Sequence, residues 1–72
     1  MYARTLRKAE QIRRFIITAA DTVGWEVREE ANSQLVRRDL VTDWHRVERA
    51  RMRFAEAVDS LVDDGWTADA VA

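Results

Sequence analysis

Residues 43–64 read DWHRVERARMRFAEAVDSLVDD, and this stretch decides the fold class. At about 100° per residue, its apolar side chains fall on one broad face. They are Trp44, Val47, Ala50, Phe54, Ala57, Val58, Leu61 and Val62. Thr42 or Asp43 can cap the first turn by accepting backbone N–H bonds, and Gly65 stands where a left-handed residue commonly ends a helix. The spacing therefore predicts a long amphipathic helix over 43–64.

The preceding segment, residues 25–41, predicts a β-hairpin. Apolar and charged residues alternate at its start, and Asn32 lies in a turn signal before a β-branched, apolar return strand. If Glu30 closes the turn opposite Ser33, then Val27 faces Val36. This register directs one set of side chains toward the helix: Trp25, Val27, Val36 and Leu40. It places Arg37 on the opposite side, across from Glu26.

Two interpretations are open for the N-terminal third. The spacing of Leu6, Ile12 and Ile16 is that of a helix, and it predicts an αββα arrangement with a helix over 5–23. The β-type run that begins at Phe15 instead predicts a third strand near 14–19, followed by a turn over residues 21–24. We favour the strand, because a two-stranded sheet with one helix is a poor core. The expected fold is therefore α+β, with a small antiparallel sheet packed by one helix.

The length of 72 residues predicts a single small domain. Residues 1–12 are expected to form a mobile basic leader and residues 67–72 a tail. The chain has no cysteine, which excludes a disulfide scaffold, a thiolate zinc site and a cysteine nucleophile. No apolar run reaches the roughly 18 residues of a membrane span, and no signal-peptide core follows the basic start. We therefore expect a cytoplasmic protein that does not associate with membranes.

The net charge of −1 is unevenly distributed along the chain. Residues 1–53 carry all 12 Lys and Arg against 8 acidic residues, which gives +4. Residues 54–72 carry 5 acidic residues and no basic ones, which gives −5. Such polarity can orient a protein partner, or a second copy of the same chain.

Arg46, Arg49 and Arg53 form a stripe on one flank of the predicted helix. A basic stripe of this kind can neutralise nucleic-acid phosphates. The near-neutral total charge, the nearby Glu48 and Glu56, and the lack of a groove-reading or RNA-binding motif favour a solvated helix face instead. Nucleic-acid binding is therefore the alternative function rather than the leading one.

Two further side chains are candidate partner-binding residues. Arg51 lies among the apolar positions of the predicted helix. Three interpretations are open: it binds an anionic partner, it extends along the apolar surface so that its guanidinium reaches solvent, or it pairs with Glu29 or Asp39 of the sheet. Trp66 follows the acidic end of the helix, and an exposed tryptophan at that point is a suitable protein-binding anchor.

The titratable residues do not form a catalytic or metal-binding pattern. His45 is the only histidine, and a metal site needs at least three convergent ligands, which the spacing of His45 and Glu48 does not supply. The adjacent carboxylates Glu29 and Glu30 point to opposite faces of a strand. We therefore expect no enzyme activity, cofactor or metal, and instead a protein-interaction module that self-associates as a homodimer or larger oligomer.

Overall fold

The computed structural model describes residues 2–20 and 23–69. Its elements are β1 (Tyr2–Lys8), β2 (Gln11–Ala19), β3 (Trp25–Ala31), β4 (Gln34–Val41), α1 (Trp44–Asp63) and β5 (Thr67–Ala68). The five strands form one antiparallel sheet in the order β4-β3-β2-β1-β5. The predicted α+β class is confirmed, but the sheet is larger than a hairpin with a third strand.

The predicted helix is confirmed, but it spans Trp44–Asp63, one residue shorter at each end than predicted, with Asp43 and Asp64 as its caps. The side chain of Asp43 accepts a hydrogen bond of 3.0 Å from the backbone N–H of His45, which caps the first turn. At the other end Gly65 has φ 97°. The backbone N–H of Trp66 donates to the carbonyl of Leu61 at 2.9 Å, as in a Schellman motif. Local chemistry thus fixes both boundaries of α1.

Over residues 2–20, the N-terminal region contains two strands and no helix. The third strand predicted near 14–19 is confirmed as β2, which is longer than predicted, and the alternative helix over 5–23 is wrong. The helical spacing was misleading because apolar residues lie on both sides of the sheet. Leu6 and Phe15 belong to the core beneath α1, whereas Ile12 and Ile16 lie on the opposite face.

Other N- and C-terminal expectations also change. Residues 2–8 of the expected mobile leader form β1, and Thr67–Ala68 of the expected tail form β5. Position 1 of the leader, positions 21 and 22 of the predicted turn, and positions 70–72 of the tail lie outside the described residues. Strands therefore occupy part of the sequence assigned to the leader and part of the sequence assigned to the tail.

The hairpin over 25–41 is confirmed, but its predicted register is wrong. Val27 faces Asp39 rather than Val36. The turn consists of Asn32 and Ser33, with φ of 53° and 68°, which is the two-residue type that matches the twist of a hairpin. A β-bulge follows at Val36, which is the extra residue on β4. This bulge shifts the pairing between β3 and β4 again.

The core lies between α1 and one face of the sheet. Its buried members are Leu6, Phe15, Ile17, Val27, Val41, Val47, Ala50, Phe54 and Val58. The rings of Phe15 and Phe54 meet at a centroid distance of 5.0 Å and join β2 to α1. The other sheet face, termed the open face, is not covered by a helix in the described part of the chain.

The corrected register decides which β4 side chains face the core. Beyond the bulge at Val36, the observed pairing is displaced from the predicted pairing by an odd number of residues. Every β4 side chain after Val36 therefore lies on the opposite face from the predicted one. Leu40 lies opposite Glu26 on the open face instead of under the helix. Leu35, Val36 and Leu40 are 57%, 58% and 61% exposed, respectively.

Candidate functional site

A groove of about 490 Å³ lies between the helix-facing side of the sheet and α1. Its apolar lining includes Val27 on β3, Val41 on β4 and Ala50 on α1. These three residues are also members of the core. The groove is therefore the place where one margin of the core reaches the surface.

Four arginines line this groove. Arg46, Arg49 and Arg53 come from α1, as the stripe predicted, and Arg37 comes from β4. All four side chains are exposed. Sequence reasoning missed Arg37 because the predicted register placed it on the opposite face of the sheet. The Asn32-Ser33 turn alone would still place Arg37 opposite Arg28 on the open face, and it is the β-bulge at Val36, which carries no signal in the sequence, that moves Arg37 to the groove.

The arginines of the groove differ in their ion pairing. The Nε of Arg37 lies 2.8 Å from Oδ2 of Asp39. Among the described residues, no carboxylate lies within 4.0 Å of the guanidinium groups of Arg46, Arg49 or Arg53. Glu48, expected near the stripe, instead accepts a hydrogen bond of 2.8 Å from the indole N–H of Trp44. Three guanidinium groups therefore remain available to an anion.

Arg51 lies apart from the groove. It lines a small cavity of about 30 Å³ together with Tyr2 and Trp44, a volume that holds about one water molecule. Burial raises the pKa of the Tyr2 hydroxyl above its usual value, although nearby Arg4 and Arg51 oppose the shift. The pairing of Arg51 with Glu29 or Asp39 is not formed, since both carboxylates pair with arginines of the sheet.

Trp66 and the basic residues of β1 also lie away from the groove. Trp66 is partly buried and packs against the core, so only part of its ring is accessible to a partner. The Nζ of Lys8 donates to the backbone carbonyl of Asp64 at 2.7 Å, and Arg7 lies 3.5 Å from Asp69. The first strand therefore does not extend the arginine stripe.

A second candidate surface is the free edge of β4. This strand ends the sheet, and within residues 2–20 and 23–69 it pairs with β3 alone. Its exposed apolar residues are Leu35, Val36 and Leu40. Beside it, the open face carries a chain of ion pairs in which Arg28 contacts both Glu26 and Glu30. The edge thus combines unpaired backbone groups with apolar side chains, next to a charged sheet face.

The remaining titratable candidates are His45 and the acidic side chains of the described residues. His45 is exposed in the first turn of α1. Within residues 2–20 and 23–69, no three side chains of the metal-binding types come together. No helix in that part of the chain is long and apolar enough to cross a membrane.

No protein-family model matches the chain, and comparisons with curated proteins and with solved structures find no significant match. The two surfaces described above are therefore the basis for a functional interpretation.

Proposed function

We propose that the protein is a small, non-enzymatic protein-interaction module of the cytoplasm that self-associates through the free edge of β4. The observation that supports this is the exposure of Leu35, Val36 and Leu40 on an unpaired strand. Unpaired N–H and C=O groups along a strand are a template for another strand. Proteins usually protect such edges, and apolar side chains at this position favour pairing instead.

Light scattering over a micromolar concentration series tests this proposal. We expect an average mass that rises above the monomer value of 8.4 kDa as concentration increases. Leu40→Lys should lower that mass, because it places a charge on the pairing edge. The matched control is Val62→Lys, which alters an exposed apolar residue on α1 and should leave the mass unchanged. A strict monomer at every concentration would refute self-association.

The groove supports a second candidate function, binding to the phosphate backbone of a nucleic acid. Its specific support is the convergence of Arg37 with Arg46, Arg49 and Arg53 around one concavity. No aromatic residue is among those that line this groove in the described part of the chain. We therefore expect contacts with phosphates and not base stacking, and binding with little sequence preference.

Gel retardation of single-stranded and duplex DNA at increasing salt tests this second candidate. Binding should weaken steeply with salt and be lost in the Arg46/Arg49/Arg53→Ala variant. The matched control is Arg7/Arg14/Arg51→Ala, which removes the same charge outside the groove. Equal losses in the two triple variants would contradict a specific role for the groove, and an absence of retardation by the natural protein would exclude the function.

A further inference from the structure

We propose that β4 pairs with β4 of a second copy in an antiparallel register centred on Arg38. This inference rests on the self-association proposed above and specifies its surface and its geometry. The second copy is the occupant because the edge is complementary to itself in one register. The complementarity involves both the charged and the apolar side chains of residues 36–40.

Symmetry limits the possible registers. Two identical antiparallel strands related by a twofold axis must place one residue opposite its own copy. The regular part of β4 begins after the bulge at Val36 and continues through Val41. A register centred on Leu40 places Asp39 opposite Val41 and pairs no opposite charges within the strand. The central residues to compare are therefore Arg37, Arg38 and Asp39.

The register centred on Arg38 pairs opposite charges. It places Arg37 opposite Asp39 of the second copy, and the twofold axis repeats this contact with the roles exchanged. Both residues line the groove on the helix-facing side of β4. Opposite charges directly across two strands stabilise their pairing. Each dimer thus adds two cross-strand contacts to the Arg37–Asp39 pair that each chain already forms.

The same register brings together the exposed apolar residues. Val36 lies opposite Leu40 of the second copy, and these side chains are 58% and 61% exposed in a single copy. At the axis, Arg38 faces its own copy. Each Arg38 guanidinium already donates to the carboxylate of Glu26 in its own chain, and this neighbouring negative charge offsets the repulsion between the two arginines.

The two neighbouring registers lack this complementarity. A register centred on Arg37 places Arg37 opposite itself and Val36 opposite Arg38. A register centred on Asp39 places two carboxylates together and Leu40 opposite Arg38. Like charges directly opposite each other are destabilising, and neither arrangement pairs apolar residues with each other within residues 36–40. Only the Arg38-centred register satisfies both requirements.

Charge reversal tests the register. In a dimer of the Arg37→Asp variant, the new carboxylate lies opposite Asp39 of the second copy at both contacts. In a dimer of the Asp39→Arg variant, the new arginine lies opposite Arg37 of the second copy at both contacts. We expect each single variant to dimerise at least about tenfold more weakly than the natural protein, as measured by sedimentation equilibrium. Circular dichroism should show the fold unchanged, because the Arg37–Asp39 contact is exposed.

Mixing the two variants gives the decisive measurement. In a heterodimer, both carboxylates of the Arg37→Asp chain face both arginines of the Asp39→Arg chain, so an equimolar mixture should recover dimerisation. The double variant Arg37→Asp/Asp39→Arg should also dimerise with itself. If the natural protein dimerises and the single variants do so equally well, the register is wrong while self-association stands. If the natural protein is monomeric, self-association itself fails.

Cysteine cross-linking provides an independent test, because the chain contains no cysteine. In the proposed register, Arg38→Cys places two thiols directly opposite each other, and mild oxidation should give a covalent dimer. Arg37→Cys is the matched control, since its two copies are offset along the strands and lie beyond the roughly 7 Å Cα separation that a disulfide can span. Preferential cross-linking of the Arg37→Cys variant would overturn the proposed register.

Discussion

The two edges of the sheet differ in length and in protection. β4 has 8 residues and exposes three apolar side chains along its free edge. β5 has only 2 residues, and it is followed at Asp69 by a backbone N–H that donates to the carbonyl of Thr5 at 2.8 Å. A short edge strand flanked by charges is a common protection against unwanted pairing. The contrast leaves β4, and not β5, as the long exposed edge, and this is why the proposed association is assigned to β4.

The largest effect is expected from a substitution that disrupts the end of β4, the free edge of the sheet. Gly24 has φ +94°, and a Cβ there would collide with the backbone carbonyl oxygen of Val41 in β4. Gly24→Ala should therefore lower the free energy of unfolding by about 3 kcal/mol or more, because backbone atoms must move. Urea denaturation measures this loss.

Gly65→Ala is the matched control for that substitution. Gly65 has a similar φ of +97°, but the nearest atom to an added Cβ is Lys8 Cε at 3.8 Å. Only conformational strain remains, and we expect a loss of about 1 kcal/mol. Equal losses at the two glycines would contradict the steric role of the β4 contact.

A second substitution tests what secures the protected edge. Trp66 precedes β5 and packs against the core, so Trp66→Ala should remove about 2 kcal/mol from the free energy of unfolding. Trp44→Ala is the control, since Trp44 is 51% exposed and should cost less. Thermal denaturation of both variants gives the comparison, and a larger loss at Trp44 would show that β5 is secured by other contacts.

The connection of β4 to the sheet should depend on pH. The hydrogen bond from Arg38 holds the pKa of the Glu26 carboxyl below its ordinary value of 4.5. A carboxyl with a lowered pKa in the folded state contributes stability above its unfolded pKa, and that contribution is lost as the pH falls through the folded pKa. Acidification below about pH 4.5 should therefore weaken the link between β3 and β4.

NMR titration of the Glu26 carboxyl measures this effect. Arg38→Ala should raise the pKa toward its ordinary value, because the main cause of the shift is removed. Arg37→Ala removes the adjacent arginine and should leave the pKa unchanged. A pKa that stays low in Arg38→Ala would assign the shift to the remaining contact with Arg28.

The smallest expected effect concerns the ion pair beside β5. Arg7 and Asp69 approach to 3.5 Å with side chains that are about half exposed. Such pairs contribute little, so a double-mutant cycle with Arg7→Ala and Asp69→Ala should give a coupling of less than about 0.5 kcal/mol. A coupling above about 1 kcal/mol would mean that this charge pair, as well as packing, holds the protected edge.

The sequence predicted the helix well because its signals are local. The caps at Asp43 and Gly65 and the apolar periodicity between them lie within one continuous segment. The strand register depends on a two-residue turn and on the bulge at Val36, and the bulge moves every later side chain of β4 to the other face. The first strand was missed because Leu6 is its only fully buried residue, which leaves little alternation to detect.

The candidate site was predicted in part for the same reason. Arg46, Arg49 and Arg53 share one flank of a helix, and helical spacing alone brings them together. Arg37 joins them only in the observed register, which also creates the groove. Pairwise spacing within one element was therefore informative, whereas the relation between two elements required the structure.

The topology of β5 has a consequence for how many copies of the chain the proposed association can join. Strands β1 to β4 are joined by successive hairpins, whereas β5 pairs Ala68 with Leu6 across almost the whole chain. Contacts so distant in sequence form late in folding, and a strand of two residues opens at little cost. Its amide hydrogens should exchange first. Each opening of β5 would expose the edge of β1, and a copy with two free edges can add neighbours on both sides. β5 would then limit assembly to pairs and prevent open-ended filaments.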